Sequence, residues 1–164
     1  MKLLLLSLII MAFTACGESS TATSNHKLKS EKEDNTIMCK DIYNEPIIKK
    51  VLKNVQDFEE TSAKEKYCAY KFKIEGMQYY THLSVGGLKH ANLAMLEQSM
   101  SMFKTVTFKP IEGVGEKAYV STVGGGQISA FSNGNLIHVA LSANAFEEEK
   151  TKLLTNAIFE KLNE

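Results

Sequence analysis

Residues Tyr119 to Leu141 read YVSTVGGGQISAFSNGNLIHVAL, and their pattern sets the fold class. Apolar and polar side chains alternate with the period of two that marks a half-buried strand. Three strands follow, Tyr119 to Val123, Gln127 to Phe131 and Leu136 to Leu141, joined by Gly124-Gly125-Gly126 and by Asn133-Gly134. Asn-Gly favours a tight two-residue hairpin, since both central residues of that turn need positive φ. Strands in consecutive hairpins imply an antiparallel sheet.

Upstream, Tyr67 to Ile74 alternates Cys68, Tyr70, Phe72 and Ile74 with Ala69, Lys71 and Lys73. Glu75-Gly76 turns that strand into a second, Met77 to Val85, which Gly86-Gly87 ends. Between the two strand groups, Leu88 to Lys104 carries Leu93, Leu96, Met100 and Phe103 along one face, the stripe of an amphipathic helix. Before them, Asn44-Glu45-Pro46 opens a helix over about 45–56, with Ile47, Ile48, Val51, Leu52 and Val55 at helical spacing. After them, Asn144 caps a last helix whose first turn holds Glu147, Glu148 and Glu149, with Phe146, Leu153, Leu154, Ala157, Ile158 and Leu162 facing inward. The order helix, two strands, helix, three strands, helix predicts an α+β fold, an antiparallel β-sheet covered by helices as an α/β/α sandwich.

The N-terminus has a different character. Lys2 precedes an apolar run from Leu3 to Phe13, broken only by Ser7, and Thr14-Ala15-Cys16 follows. That is the layout of a secretory signal, and the run is too short to span a bilayer, which takes about 20 residues. From Gly17 to Asn35 the only large apolar residue is Leu28, so the segment reads as a flexible tether, spanning roughly 20 to 25 Å as a random coil. His26 lies within it. The expected organisation is a signal peptide over 1–15, a lipidated N-terminus and tether over 16–36, and a single domain over 37–164.

Composition excludes several functions. The 19 basic and 19 acidic residues cancel, so no net field collects nucleic acid. All 19 basic residues are lysines, and the bidentate fork by which arginine grips phosphate or carboxylate is missing. With Cys16 assigned to lipid, Cys39 and Cys68 remain in an oxidising compartment, and an even pair there suggests a disulfide. Two buried thiols or a two-thiolate metal site are the alternatives, the latter disfavoured because no C-x-x-C or H-x-x-x-H spacing accompanies the pair.

Phe13-Thr14-Ala15-Cys16 resembles the lipobox of bacterial lipoproteins, although a Leu is usual where Phe13 stands. The lipobox, the polar tether, Cys39 ahead of the first helix, Cys68-Ala69-Tyr70 in a strand, the Gly113-Val114-Gly115-Glu116-Lys117-Ala118-Tyr119 stretch and the closing helix together resemble small lipoproteins of the DUF3558 and LpqN-like type. That resemblance implies a Mog1/PsbP-like sandwich, a diacylglycerol on Cys16 and a binding or accessory domain, and it carries over no catalytic residues. Two or more acyl chains, at about 0.8 kcal/mol per buried methylene, make a durable anchor.

Candidate chemistry is sparse. Gly113-Val114-Gly115 leads into a strand rather than a helix and lacks a third glycine, so it reads as a turn and not a phosphate loop. No G-x-S-x-G elbow is present. His82 and His138 fall on strands and His90 at a helix start, from which a hydrolase site would have to be assembled in space. Met95, Met100 and Met102 with His90 are the one grouping suited to Cu(I), although Met100 belongs to the apolar stripe. The sequence thus leads to an expectation of a lipid-anchored envelope protein, on the outer side of the inner membrane or on the outer membrane, that binds a protein or small ligand without catalysis, cofactor or metal. A His-based hydrolase and a copper-handling protein are the alternatives.

Overall fold

The computed structural model describes residues 35–42, 45–62, 67–102 and 105–164. Cys16, His26, Asn44 and Phe103 lie outside the described residues, so the expected lipid attachment, the expected tether up to residue 34 and the end of the predicted apolar stripe do too.

In chain order the elements are α1 (Cys39–Ile42), α2 (Glu45–Leu52), β1 (Val55–Glu60), β2 (Cys68–Ile74), β3 (Thr81–Leu88), α3 (Leu93–Met102), β4 (Lys109–Ile111), β5 (Lys117–Ser121), β6 (Gly126–Ser132), β7 (Asn135–Leu141) and α4 (Glu148–Leu162). The strands form one antiparallel sheet in the order β1-β2-β3-β7-β6-β5-β4. Two meanders, β1 to β3 and β4 to β7, therefore meet where β3 pairs with β7, and α3 carries the chain from the middle of the sheet to its far edge. The class is the α+β, antiparallel one expected.

The hairpin that sets the class forms as its sequence requires: Asn133 and Gly134 both have positive φ, 47° and 75°. Other boundaries move, each for a physical reason. The first helix stops at Leu52 rather than continuing to 56, because Lys53 and Asn54 turn left-handed (φ 48° and 52°) and redirect the chain into β1. Val55, the last member of the predicted helical stripe, is instead the first residue of a strand and pairs with Ile74. Gly86 and Gly87 do not end a strand; both pair with β7 inside β3. The strand itself starts at Thr81, not Met77. Asn144 does not cap α4, whose N-cap is Glu147 with no side-chain hydrogen bond. Asn144 turns its amide nitrogen toward the Tyr79 and Tyr80 carbonyls, each at 3.4 Å, and so ties the β7–α4 link to the start of β3. Leu153 faces solvent, while Thr151 and Thr155 take the fully buried positions, their hydroxyls satisfied on the carbonyls of Glu147 and Thr151 at 2.8 and 2.7 Å. Thr36, assigned to the tether, already bridges to Leu88, and the Asn35 carbonyl accepts from the Lys89 amide at 2.6 Å.

The alternation along each strand divides the sheet into two faces. Tyr70, Phe72, Leu83, Val85, Ala118, Val120, Ile128, Ala130, Ile137, Val139 and Leu141 form one cluster with α1, α2 and α4, whose Ile42, Ile48, Leu52, Leu154, Ile158 and Phe159 cover them. Each large side chain so enclosed contributes about 1.5 to 3 kcal/mol. Among the described residues the opposite, outer face is covered only in part. There Leu96 of α3 packs on Phe131 and Leu136, flanked by Leu88, Ala91, Met95, Met100 and Tyr119. Lys117 fastens α3 to β5 through Glu97 at 2.6 Å. The edges are protected: β1 carries exposed Gln56, Asp57, Glu59 and Glu60 with a register break at left-handed Asp57, and β4 is three residues long and contains Pro110.

Candidate functional site

Where the cover of α3 stops, the outer face opens into a groove of about 390 Å³ lined by Thr36, Tyr67, Ser84, Gly86, Gly87, Leu88, His138 and Ala140. Strand register builds it. His138 stands between Gly86 on β3 and Ser129 on β6, the three side by side across the sheet. Ser84 and Ala140 form the next pair along. Leu88 belongs both to the groove and to the cluster under α3, and the exposed Tyr67 ring stands over Gly86.

Among the described residues His138 is the one imidazole lining this groove, and its surroundings favour one state. Its Nδ1 lies 2.8 Å from Ser129 Oγ, and Gln127 Nε2 donates to the same oxygen at 2.9 Å. A serine hydroxyl has one proton to give. With Gln127 donating to Oγ, all three groups are satisfied when Ser129 donates to an unprotonated Nδ1, which places the ring proton on Nε2. Enclosure holds the His138 pKa below the ordinary imidazole value of 6.5, because burial disfavours the charged ring. Between the lowered value and 6.5 the unfolded chain takes up the proton more readily than the folded one, so stability should rise with pH across that window. Denaturant unfolding is expected to give a lower midpoint near pH 5 than near pH 7.5, and His138→Gln is expected to flatten that difference. An equal slope in the variant would show that the ring is not held neutral by the fold.

Ser129 and His138 do not form an activated nucleophile. Ser129 is fully enclosed, and among the described residues no carboxylate is hydrogen-bonded to the His138 ring. His82 is exposed, and its backbone is tied to Ser142: its amide donates to Ser142 Oγ and its carbonyl accepts from the Ser142 amide, both at 3.0 Å. His90 is exposed too, at a left-handed turn with φ 53°. The methionines divide: Met95 and Met100 pack on the cluster under α3, whereas Met102 is 71% exposed. Among the described residues no group of three or more His, Cys, Asp or Glu side chains is placed to hold a metal.

Glu147, Glu148 and Glu149 pair on the surface with Lys150 and Lys152. Gly113-Val114-Gly115 is a structural turn: Asn156 of α4 donates to the Gly113 carbonyl at 2.8 Å and accepts from the Gly115 amide at 3.3 Å, while Val114 is buried. Cys39 and Cys68 are at disulfide distance, with Cα atoms 5.3 Å apart, and link α1 to β2 within the core. No helix among the described residues is long and apolar enough to cross a membrane.

Sequence reasoning placed His138 on a strand but missed Ser129, Gln127 and Gly86. A signal for Ser129 existed, because a two-residue turn at Asn133-Gly134 sets Ser129 opposite His138. No family model, no curated protein and no solved structure matches this chain.

Proposed function

We propose that this chain is a lipid-anchored protein of the bacterial cell envelope whose domain binds a small ligand in the outer-face groove, without catalysis. The groove carries the reading. Among the described residues it is an open concavity of about 390 Å³, the size of a small-molecule site, with an aromatic wall at Tyr67 and polar side chains at Thr36, Ser84 and His138. The apolar run ahead of Ala15-Cys16 and the polar tether support the anchor. The layered arrangement of sheet and helices, with Cys39 ahead of α2 and Cys68 opening β2, supports a Mog1/PsbP-like sandwich of the DUF3558/LpqN-like kind.

Mild-detergent extraction from its own membrane, followed by native mass spectrometry, tests this. The expected protein begins at Cys16, is heavier by its acyl groups, is lighter by two protons until reduced, and carries a non-covalent small-molecule mass. Gly86→Leu, which puts a side chain into the groove, should keep the covalent features and lose the bound mass. A wild-type chain with no bound mass, or a variant that retains it, overturns the groove; an unlipidated chain overturns the anchor.

A further inference from the structure

The groove's chemistry narrows the ligand, on the reading that the groove binds one. None of the described residues that line it is charged, so an ion entering it would shed water without an opposite charge to meet. Lys71 and Lys73, on the same outer face, lie over the Tyr80 ring at 4.5 and 5.1 Å and are not among the lining side chains. That lining favours an uncharged ligand.

His138 supplies the direction of the polar contact. On its β6 side the ring is held through Nδ1 by Ser129. On its β3 side stands Gly86, where no side chain intervenes. Nε2 makes no hydrogen bond among the described residues, and Ser129 leaves it carrying the proton, so it is a donor without an acceptor. The Gln127–Ser129–His138 chain fixes that polarity before anything binds. Tyr67 adds shape: its ring, 55% exposed, borders the groove and offers an aromatic surface for stacking. A Cβ at Gly86 would come no closer than 3.9 Å to that ring and would meet no other described residue within 4 Å, so among the described residues the space beside His138 is open.

We propose that the groove takes a flat, uncharged organic molecule that stacks on Tyr67 and accepts a hydrogen bond from His138 Nε2 through a carbonyl oxygen. A carbonyl is the acceptor chosen because it lies in the plane of a stacked ring system and can meet an in-plane N–H without breaking the stack.

The test uses the full chain in detergent micelles and two probes of similar size and flatness, coumarin, which has a carbonyl, and naphthalene, which has none. Imidazole 15N spectra of the free protein should show the Nε2–H tautomer at His138. Coumarin should shift the His138 ring and the Gly86 and Gly87 amides saturably, and bind roughly three- to tenfold more tightly than naphthalene, the difference one net hydrogen bond makes. His138→Phe should erase that preference while leaving naphthalene binding in place. An Nδ1–H tautomer, or equal affinity for the two probes in the wild type, overturns the ligand class and leaves the groove standing. If neither probe shifts Gly86, Gly87 or His138, the groove itself is not a binding site and the parent reading falls with it. The tautomer and the probe comparison need only the wild-type protein, so neither depends on the variant folding.

Discussion

Replacing Cys39 and Cys68 together by alanine should cost the domain about 3 to 4 kcal/mol, the chain-entropy value for closing a loop of this length. The pair is separated by 29 positions and joins α1 to β2. Helix α1 has four residues, too few to persist without support, and Ile42 within it belongs to the cluster that covers the sheet. Loss of the link frees the entry segment and uncovers Tyr70 and Val85 beneath it. Urea unfolding reads the effect: with a slope of about 1 to 3 kcal/mol per molar, the midpoint should fall by more than about 1 M. An unchanged midpoint would mean that the packing of α1, not its covalent tie, holds the entry segment.

Two neighbouring glycines should respond in opposite ways to alanine. At Gly87 a Cβ would lie 2.2 Å from the Leu136 carbonyl oxygen and 2.9 Å from Ile37 Cδ1. The first obstacle is backbone of the adjacent strand, so relief requires β3 and β7 to separate at the seam between the two meanders. Ile37 is 1% exposed and its amide donates to the Gly87 carbonyl at 3.0 Å, so the chain entry would be displaced as well. Gly87→Ala is expected to cost about 3 kcal/mol, the upper part of the range for overpacking. Gly86→Ala meets only the edge of Tyr67 and should be neutral or slightly stabilising, since alanine has less backbone freedom to lose. Thermal unfolding of the two variants separates them; comparable losses would show that the seam does not depend on the missing side chain at 87.

The contrast between these glycines also shows what was legible in the sequence. Local pairings were: Asn133-Gly134 determined β6 and β7 and their register, and the alternation in Tyr67 to Ile74 gave the buried face of β2 with Cys68, Tyr70 and Phe72 inward. What depended on distant neighbours was not. Gly86 and Gly87 looked like a strand end because nothing local says that β7 and Ile37 press against them. Strand β1 was hidden because Val55 satisfies a helical spacing and a strand start equally well, and only the left-handed pair Lys53-Asn54 decides between them. Strand β4, three residues with a proline, has too little pattern to declare itself. Thr151 and Thr155 are not among the residues expected to face inward along the last helix, yet both are fully buried, because their hydroxyls fold back on the helix and leave their methyl groups to the core.

The site was legible to the same degree. His138 and its partner Ser129 follow from one hairpin. The groove does not, since it needs β3 beside β7 and a helix α3 that stops short of covering them. That shortfall of cover is the feature on which the proposed function rests: among the described residues α1, α2 and α4 enclose one face of the sheet, while on the other a ten-residue helix shelters only the end near Phe131 and Leu136.

Backbone amide NMR of the full chain in micelles, before and after addition of a small-molecule extract from its own cells, tests directly whether that opening is a ligand site. Binding in the groove should produce shifts confined to Ser84, Gly86, Gly87, His138 and Ala140 and their neighbours, with the residues of α4 unmoved. Shifts centred on another surface, or none at all, would contradict it.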